Sequence, residues 1–448
     1  MAKFEPVLTR NYGVPGSHLL SVYRERGGYQ ALSRALEMGP EKVVAEVRRA
    51  ELRGRGGAGF PAGVKWGFLP PKREVTYLCV NCDEAEPPTF KDRTLVEKDP
   101  HQLIEGILIT GYATRTTAAY IYMRAEFHKQ FHIMQKAVDE AYAAKLVGQK
   151  IMGSDFTMDI FIHRGAGAYV CGEETGLIES IEGKRGWPRI KPPFPAVDGL
   201  FGKPTVVNNV ETICCVKHII AEGADWFLSI GPQGSRGPKL FAVSGPVRRP
   251  GIYEAAMDIT CRDLVFGEDF AQGMLEGQEL RGVLPGGISM GILRHDELDC
   301  KLDFDDVRRY DLLGLGTGAA VVVPARTDIR TVLANVASFF AHESCGQCTQ
   351  CREGTSWMAK IARRIADGAG RTEDLDLLIE VGNSMGMMPG LNICGLSDGA
   401  GWVVRSVVEK FRGELEEKIK AQPPAAAERV LRQMNPAYYE GAGRVGAT

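Results

Sequence analysis

The sequence has almost no excess of charge of either sign. Its 54 Lys and Arg stand against 56 Asp and Glu, a formal charge of −2 over 448 residues. It therefore lacks the basic stripe that a phosphate backbone demands, and nucleic acid finds no footing. No run of about 18 uninterrupted apolar residues is present, so no bilayer-spanning helix is expected and no direct membrane insertion. The opening MAKFEPVLTRNYG has neither the apolar core of a signal peptide nor an Arg- and Ser-rich transit pattern. Cysteine is scarce and odd in number, 11 in all, too few to staple a chain of this length. These absences lead us to expect a cytoplasmic protein with reduced thiols, where a cysteine cluster favours metal over disulfides. Glycine is what the chain has in surplus: 53 residues, against about 31 at average usage and with no G-X-Y period. Hydrophobic residues at 44% and charged residues at 25% speak for a globular chain and against disorder.

Along the first half, helical and strand patterns alternate. PEKVVAEVRRAEL (40–52) has helical spacing and stops at Gly54. VTYLCVN (75–81), AAYIYM (118–123) and MDIFIH (158–163) are strand-like, with helical patterns at 101–112 and 128–146 between them. This predicts an α/β sheet with helical cover. Near Ile230 the composition changes to a GPQGSRGPK linker, followed by short strands at 239–244, 251–255, 282–284 and 319–323. One short helix, capped by Thr260, sits among them. From Asp328 the pattern is helical, at 332–342, 357–365, 375–381 and 402–419, and an Ala/Pro/Gly-rich tail follows. The expected division is 1–230, 231–327, 328–420 and a loosely ordered tail, 421–448.

The chemistry-bearing segments are few. Cys345, Cys348 and Cys351 form C-x2-C-x2-C, and Cys394 is the only other cysteine of the helical part. Such a compact run plus one distant cysteine suits a [4Fe–4S] cluster, with four-thiolate zinc as the alternative. The other seven cysteines carry no ligand spacing and are expected to pack as small hydrophobes. RGRGGAGF (53–60) contains a formal G-x-G-x-x-G, but a helix precedes it where the dinucleotide fingerprint needs a strand. Its glycines, with Arg53, Arg55 and Lys65, could still cradle an anion, or simply form a loop closing the helix. CDEAEPP (82–88) places three carboxylates at a strand's carboxyl end, where α/β sheets bind ligands. They could accept hydrogen bonds from ribityl, ribose or flavin-ring donors, or be a solvated loop. RGAGAYVCGEETG (164–176) has the order strand, glycine loop, helix. Glu173 and Glu174 at that helix start argue against phosphate there, unless they only complement the dipole. In WPRIKPPFP the prolines stiffen a loop presenting Lys191 and Phe194. Asn208 and Asn209 are expected to cap a helix over 210–220.

Taken together, RGRGGAGFPAGVKW, NCDEAEPPTFKDR, HRGAGAYVCGEET, KPPFP, GKPTVVNNVET and ESCGQCTQCREG resemble, in order, the flavoprotein NADH-binding subunit of respiratory complex I. NAD-reducing hydrogenases and NAD-linked formate dehydrogenases share the module. The resemblance implies an NADH:quinone oxidoreductase flavoprotein in which a hydride passes from NADH to FMN and single electrons pass to a [4Fe–4S] cluster. It implies a Rossmann-like α/β FMN domain, a small α+β ubiquitin-like β-grasp domain and a C-terminal helical bundle binding the cluster. By resemblance, the FMN site would use Gly54, Arg55, Gly56, Gly57, Lys65, Asn81, Asp83, Glu84, Gly172, Glu173, Asn208 and Asn209. Phe60, Phe68 and Phe194 would lie near the adenine, and Glu86, Glu174 and Lys191 would hold other parts of NAD(H). Cys345, Cys348, Cys351 and Cys394 would bind the cluster, and no side-chain nucleophile is called for. The implied partners are other hydrophilic-arm subunits, among them a 2Fe–2S thioredoxin-like subunit and a large multi-cluster iron–sulfur subunit. They would hold the chain peripherally at the cytoplasmic face of the inner membrane. Related diaphorases carry added thioredoxin-like or ferredoxin-type segments with further cysteine clusters, which this sequence does not, so complex I is favoured. Cys82, Ala85, Pro88 and Gly176 depart from the family pattern, which has Ala, Ser, Gly and Ala in those places.

Overall fold

The computed structural model describes residues 5–386 and 391–421. The expected loose tail lies almost wholly outside the described residues.

Four strands make the first sheet: β1 Tyr77–Cys82, β2 Ala118–Met123, β3 Asp159–Arg164 and β4 Thr205–Asn209. All pairings are parallel, in the order β3-β2-β1-β4. Alternation along β1 decides its two faces. Leu78, Val80 and Cys82 join the large core with Ile121 and Met123 of β2 and with the helices Pro100–Thr114 and Val210–Glu222. Cys79 points the other way, with Tyr122 and Val207, onto Leu177 and Ile178 of the helix Glu174–Ile181. The chain leaves β1 toward β2 and β3, whereas β4 lies on the opposite side of β1. The carboxyl ends of β1 and β4 therefore flank the crevice where the strand order reverses.

β4 is a strand that the sequence pattern does not announce. Asn208 and Asn209 are expected to cap a helix together, but Asn208 lies within the strand and only Asn209 caps, accepting from Glu211 N–H at 3.0 Å. The strand is five residues long, and its Thr205-Val206-Val207 run gives way at once to Asn208-Asn209, so the cap signal hides its pattern.

A second sheet comprises β5 Pro238–Ser244, β6 Gly251–Ala256, β7 Leu280–Leu284, β8 Leu293–Arg294 and β9 Ala319–Pro324. Its order is β6-β5-β9-β7-β8, with β5 and β9 parallel and the other pairs antiparallel. The helix Cys261–Phe266 follows β6 and begins in a capping box between Thr260 and Asp263. The helices Ile329–Glu343, Thr349–Ala366, Glu373–Ser384 and Leu396–Lys410 then pack round a separate apolar core. The single helix expected over 402–419 is two, broken at Phe411 before Arg412–Lys420.

Candidate flavin and cluster sites

The register sets Asn81 of β1 beside Asn209 of β4 at the reversal crevice. Asn81 Nδ2 donates to the Gly172 carbonyl at 2.8 Å, and Asn81 Oδ1 accepts from Asp83 N–H at 3.0 Å. The strand end is thereby tied to the second glycine loop. Gly56 brings the first glycine loop against the same place, because a Cβ on it would stand 3.0 Å from Asn209 Cβ. Trp66 Nε1 donates to Asn208 Oδ1 at 2.9 Å and closes the back of the crevice.

Asp83 is the polar group this arrangement leaves open. It is 8% exposed, and its Oδ2 has no hydrogen-bond partner among protein atoms. Burial pushes its carboxyl up to about 7. A buried acceptor without a donor is costly, so a ligand bearing N–H or O–H groups fits here. Gly172 leaves room for one, since a Cβ there would lie 3.8 Å from Oδ2.

Other residues assigned by resemblance are placed differently. Glu84 does not open toward the crevice: its two oxygens accept from Asp92 N–H at 2.7 Å and Arg93 N–H at 3.0 Å, capping the helix Lys91–Lys98. Arg55 has no exposed surface, and its guanidinium turns from the glycine loop to the Arg236 carbonyl at 2.5 Å and Met257 Sδ at 3.6 Å. Arg53 stacks on Phe304, 4.0 Å from the ring centre. Lys65 pairs with Glu174 at 2.6 Å. Of the three cations expected to charge the loop, Arg53 still bonds within it, its Nε donating to the Gly59 carbonyl at 2.8 Å, while Arg55 and Lys65 are engaged elsewhere. Gly54 and Gly57 remain as backbone of the loop, with Gly57 at φ 142°.

At the start of the helix Glu174–Ile181, Glu173 is the N-cap, accepting from Thr175 N–H at 2.7 Å and Gly176 N–H at 2.9 Å. Its other oxygen takes Lys191 Nζ at 2.8 Å, and Lys191 reaches Glu174 at 3.3 Å. Lys65, Glu174, Lys191 and Glu173 form one partly exposed chain of alternating charge. Burial alone would raise the Glu174 carboxyl, but the two lysines outweigh it and hold it below its usual range. Phe60, Phe68 and Phe194 are about half exposed, at 49%, 55% and 56%, and the rings of Phe60 and Phe68 stand 6.0 Å apart. Exposed aromatics of this size suit a stacking partner such as a purine.

Glu86 is held on both oxygens. Tyr169 Oη donates to Oε2 at 2.6 Å, and Ser289 N–H and Oγ–H donate to Oε1 at 2.9 and 2.8 Å. Gly287 allows this closeness, since a Cβ there would come within 2.5 Å of Glu86. The sequence does not single out Tyr169 and Ser289, because they lie 83 and 203 residues from Glu86. Tyr169 also packs on Phe339 and Phe340, and its N–H donates to Glu343 at 3.1 Å.

Beneath Asn209 lies a buried ionic network. Asn209 Nδ2 donates to Asp92 at 2.7 Å, Asp92 pairs with Lys91 at 2.8 Å, and Glu211 takes both Lys91 at 3.0 Å and Lys239 of β5 at 2.8 Å. The lysines diverge although they share Glu211. Burial would lower both, but Asp92 and Glu211 together push Lys91 upward, while Lys239, with one carboxylate, falls to about 8.

The helix Ile329–Glu343 runs into Ser344 and Cys345, so the cysteines follow the tyrosine contact directly. Cys345, Cys348, Cys351 and Cys394 line one recess of about 300 Å³ counted to its open mouth. Among the described residues, no three His, Cys, Asp or Glu close on a point that could hold a single metal ion. Four thiols spread round a recess suit a multi-iron cluster, one sulfur per iron, better than one zinc at about 2.3 Å from each. Burial pushes the Cys394 thiol up to about 12, so metal has to supply the stabilisation that makes it a thiolate. The remaining seven cysteines are free and buried.

The chain is similar to known proteins in sequence and in structure. A family model for the Nuo51 FMN-binding domain matches residues 47–218, and one for the NADH-ubiquinone oxidoreductase-F iron–sulfur binding region matches residues 331–418. The F 2 subunit of NADH-quinone oxidoreductase in Rhizobium meliloti (strain 1021) is 48% identical over 92% of this chain and 97% of its own. The mitochondrial NADH dehydrogenase (ubiquinone) flavoprotein 1 of Dictyostelium discoideum is 44% identical over 92% of this chain and 86% of its own. In solved structures, NAD+-reducing [NiFe]-hydrogenase in the H2-reduced state aligns with a TM-score of 0.80 at 34% identity, over 97% of this chain and 71% of that one.

Proposed function

The chain belongs to the family of F subunits of NADH-quinone oxidoreductase, and from that premise we propose how its own residues divide the work. It is an NADH dehydrogenase flavoprotein with FMN, NAD(H) and one [4Fe–4S] cluster. When bound, the FMN accepts a hydride from NADH and the cluster relays electrons singly, chemistry that belongs to the cofactors.

The protein's part is to bind and orient. Asn81 and Asp83, with the backbone of 54–57 and Gly172, face the flavin, and Asp83 Oδ2 accepts one of its N–H or O–H groups. Asn209 positions the glycine loop from below, as does Asn208 through Trp66. Lys65 and Glu173 serve the flavin and Lys191 and Glu174 the dinucleotide, exchanging their mutual pairs for polar groups of the cofactors, while Phe60, Phe68 and Phe194 take the adenine. Glu86, set by Tyr169 and Ser289, orients the nicotinamide end. Glu84 and Arg55 act one step back, as a helix cap and an anchor to the segment before the second sheet.

We assign 1–230 to FMN and NADH binding, 231–327 to a β-grasp unit, 328–420 to the cluster and 421–448 to a tail. The order of the second sheet supports the β-grasp reading. Numbered within the unit it is 2-1-5-3-4, first and last strands parallel, with a helix after the second strand. Partners follow from the chemistry. The cluster must discharge into other subunits of the hydrophilic arm, which include the 2Fe–2S thioredoxin-like and large multi-cluster subunits. They would hold the chain at the cytoplasmic face of the membrane. Among the described residues no helix is long and apolar enough to cross one.

One observation carries this reading: the two sites share a wall. Tyr169 binds Glu86 on one side and packs on the helix leading to Cys345 on the other. Electrons gathered at the crevice thus have a packed route to the recess. Anaerobically purified protein should contain FMN and iron and lose its flavin absorbance on adding NADH. One zinc per chain, with neither flavin nor iron, would overturn the proposal. The hydrogenase likeness favours a second reading, a diaphorase subunit. Co-purification from native membranes decides: a membrane complex supports quinone reduction, and a soluble hydrogenase partner supports the alternative.

A further inference from the structure

Resting on the cluster assignment, we propose that Ser344 and Gln347 are positioning residues that raise the reduction potential of a cluster held by Cys345, Cys348, Cys351 and Cys394. They do so by donating hydrogen bonds to two of its thiolates. Ser344 Oγ lies 3.4 Å from Cys351 Sγ, and in the free chain either atom could donate. A ligating thiolate has no proton, so the hydroxyl must then be the donor. Gln347 Nε2 lies 3.8 Å from Cys345 Sγ and donates to the Pro188 carbonyl at 3.0 Å. The bond to Pro188 fixes the amide, leaving its second N–H aimed at sulfur. A third donor, Ile393 N–H, stands 3.5 Å from Cys348 Sγ. The Leu396 N–H serves Cys394 in the same way, so each of the four thiolates faces a donor supplied by the residues around it.

The physical effect has a definite sign. Reduction adds one electron and one negative charge to the cluster, and no atom is exchanged. A donor beside a thiolate stabilises the more negative state and moves the potential upward. Ser344 is the stronger case because its contact is shorter. Gln347 has the wider reach, since Pro188 belongs to the loop that presents Lys191 and Phe194. It therefore ties the nucleotide-holding loop to a cluster ligand.

The test is a redox titration of the cluster's paramagnetic resonance signal in the intact complex, a readout independent of turnover. Ser344→Ala should lower the midpoint by up to a tenfold change in the one-electron equilibrium, about 59 mV. Gln347→Met, which keeps the volume but not the donor, should lower it by less. Ser344→Thr, which restores a hydroxyl, should return it toward the wild-type value. An unmoved midpoint in both Ser344→Ala and Gln347→Met, with the signal intact, overturns the proposal. So does a loss of thermal stability with no change in midpoint, which would make both residues merely structural. A wild-type complex with no such signal would overturn the underlying cluster assignment instead.

Discussion

The crevice between β1 and β4 and the cysteine recess, the two cofactor sites of our proposal, are assembled in opposite ways. The recess takes three of its four cysteines from seven consecutive residues, and the fourth from one loop of the same helical region. The crevice draws its parts from the strand ends, two glycine loops and, through Lys239 and Ser289, the second sheet and its loops. A locally built site can be emptied without disturbing the fold. A site built from distant segments shares its polar network with the core, so a change there reaches stability as well as binding.

The largest effect that sharpens this contrast is expected in the recess. Cys394→Ala should abolish the cluster's paramagnetic signal while FMN remains at full occupancy. Retention of the signal would show that another group supplies the fourth ligand. Loss of FMN as well would show that the sites are not separable. The counterpart in the crevice is Lys91→Ala. Lys91 is buried between Asp92 and Glu211, and removing one member of a buried ionic network costs roughly 3–5 kcal/mol. Urea unfolding should record that loss, with FMN affinity falling alongside it through Asp92 and Asn209. A change below about 1 kcal/mol would mean that the network does not support the site.

The same contrast explains what can be read from the sequence. The cysteines are legible because their spacing is itself the geometry. The strands β1, β2 and β3 are legible from their apolar runs, and so are the helix starts at Thr260 and Asp328. β4 is not, because a five-residue strand ending in Asn-Asn carries a cap signal stronger than its own pattern. Glu84 and Arg55 look like ligand groups in their motifs. Their actual partners, the N-terminus of the helix Lys91–Lys98 and the chain entering the second sheet, exist only once the chain has folded. Tyr169 and Ser289 escape for the same reason. No local pattern announces a contact 203 residues away.

A smaller effect separates nucleotide from flavin within the crevice. Glu174 is partly exposed and holds Lys65 and Lys191 through its charge. Glu174→Gln removes charge-assisted bonds of roughly 1.5–3 kcal/mol, so NADH affinity should change by about tenfold or more while FMN stays bound. Titration of NADH against flavin-loaded protein checks this. Loss of FMN in the variant would place Glu174 on the flavin.

The last effect is spread over a range of pH and concerns Asp83, and its sign follows from burial. Its carboxyl is raised from 3.8 to about 7 in the folded chain, so the native state binds a proton that the unfolded chain has already released. The stability this confers is complete below the unfolded value and is lost as pH rises through about 7. The slope should approach about 1.4 kcal/mol per pH unit between the two values. Asp83→Asn has no such proton to lose, so flavin-free variant protein should show a flatter decline in urea-measured stability over that interval. A flavin that donates to Oδ2 favours the ionised form and lowers the carboxyl's folded value. Loading wild-type protein with FMN should therefore flatten its profile toward that of the variant. If FMN leaves the wild-type slope unchanged, Oδ2 does not meet the flavin. The open acceptor at the head of β1 would then belong to some other ligand.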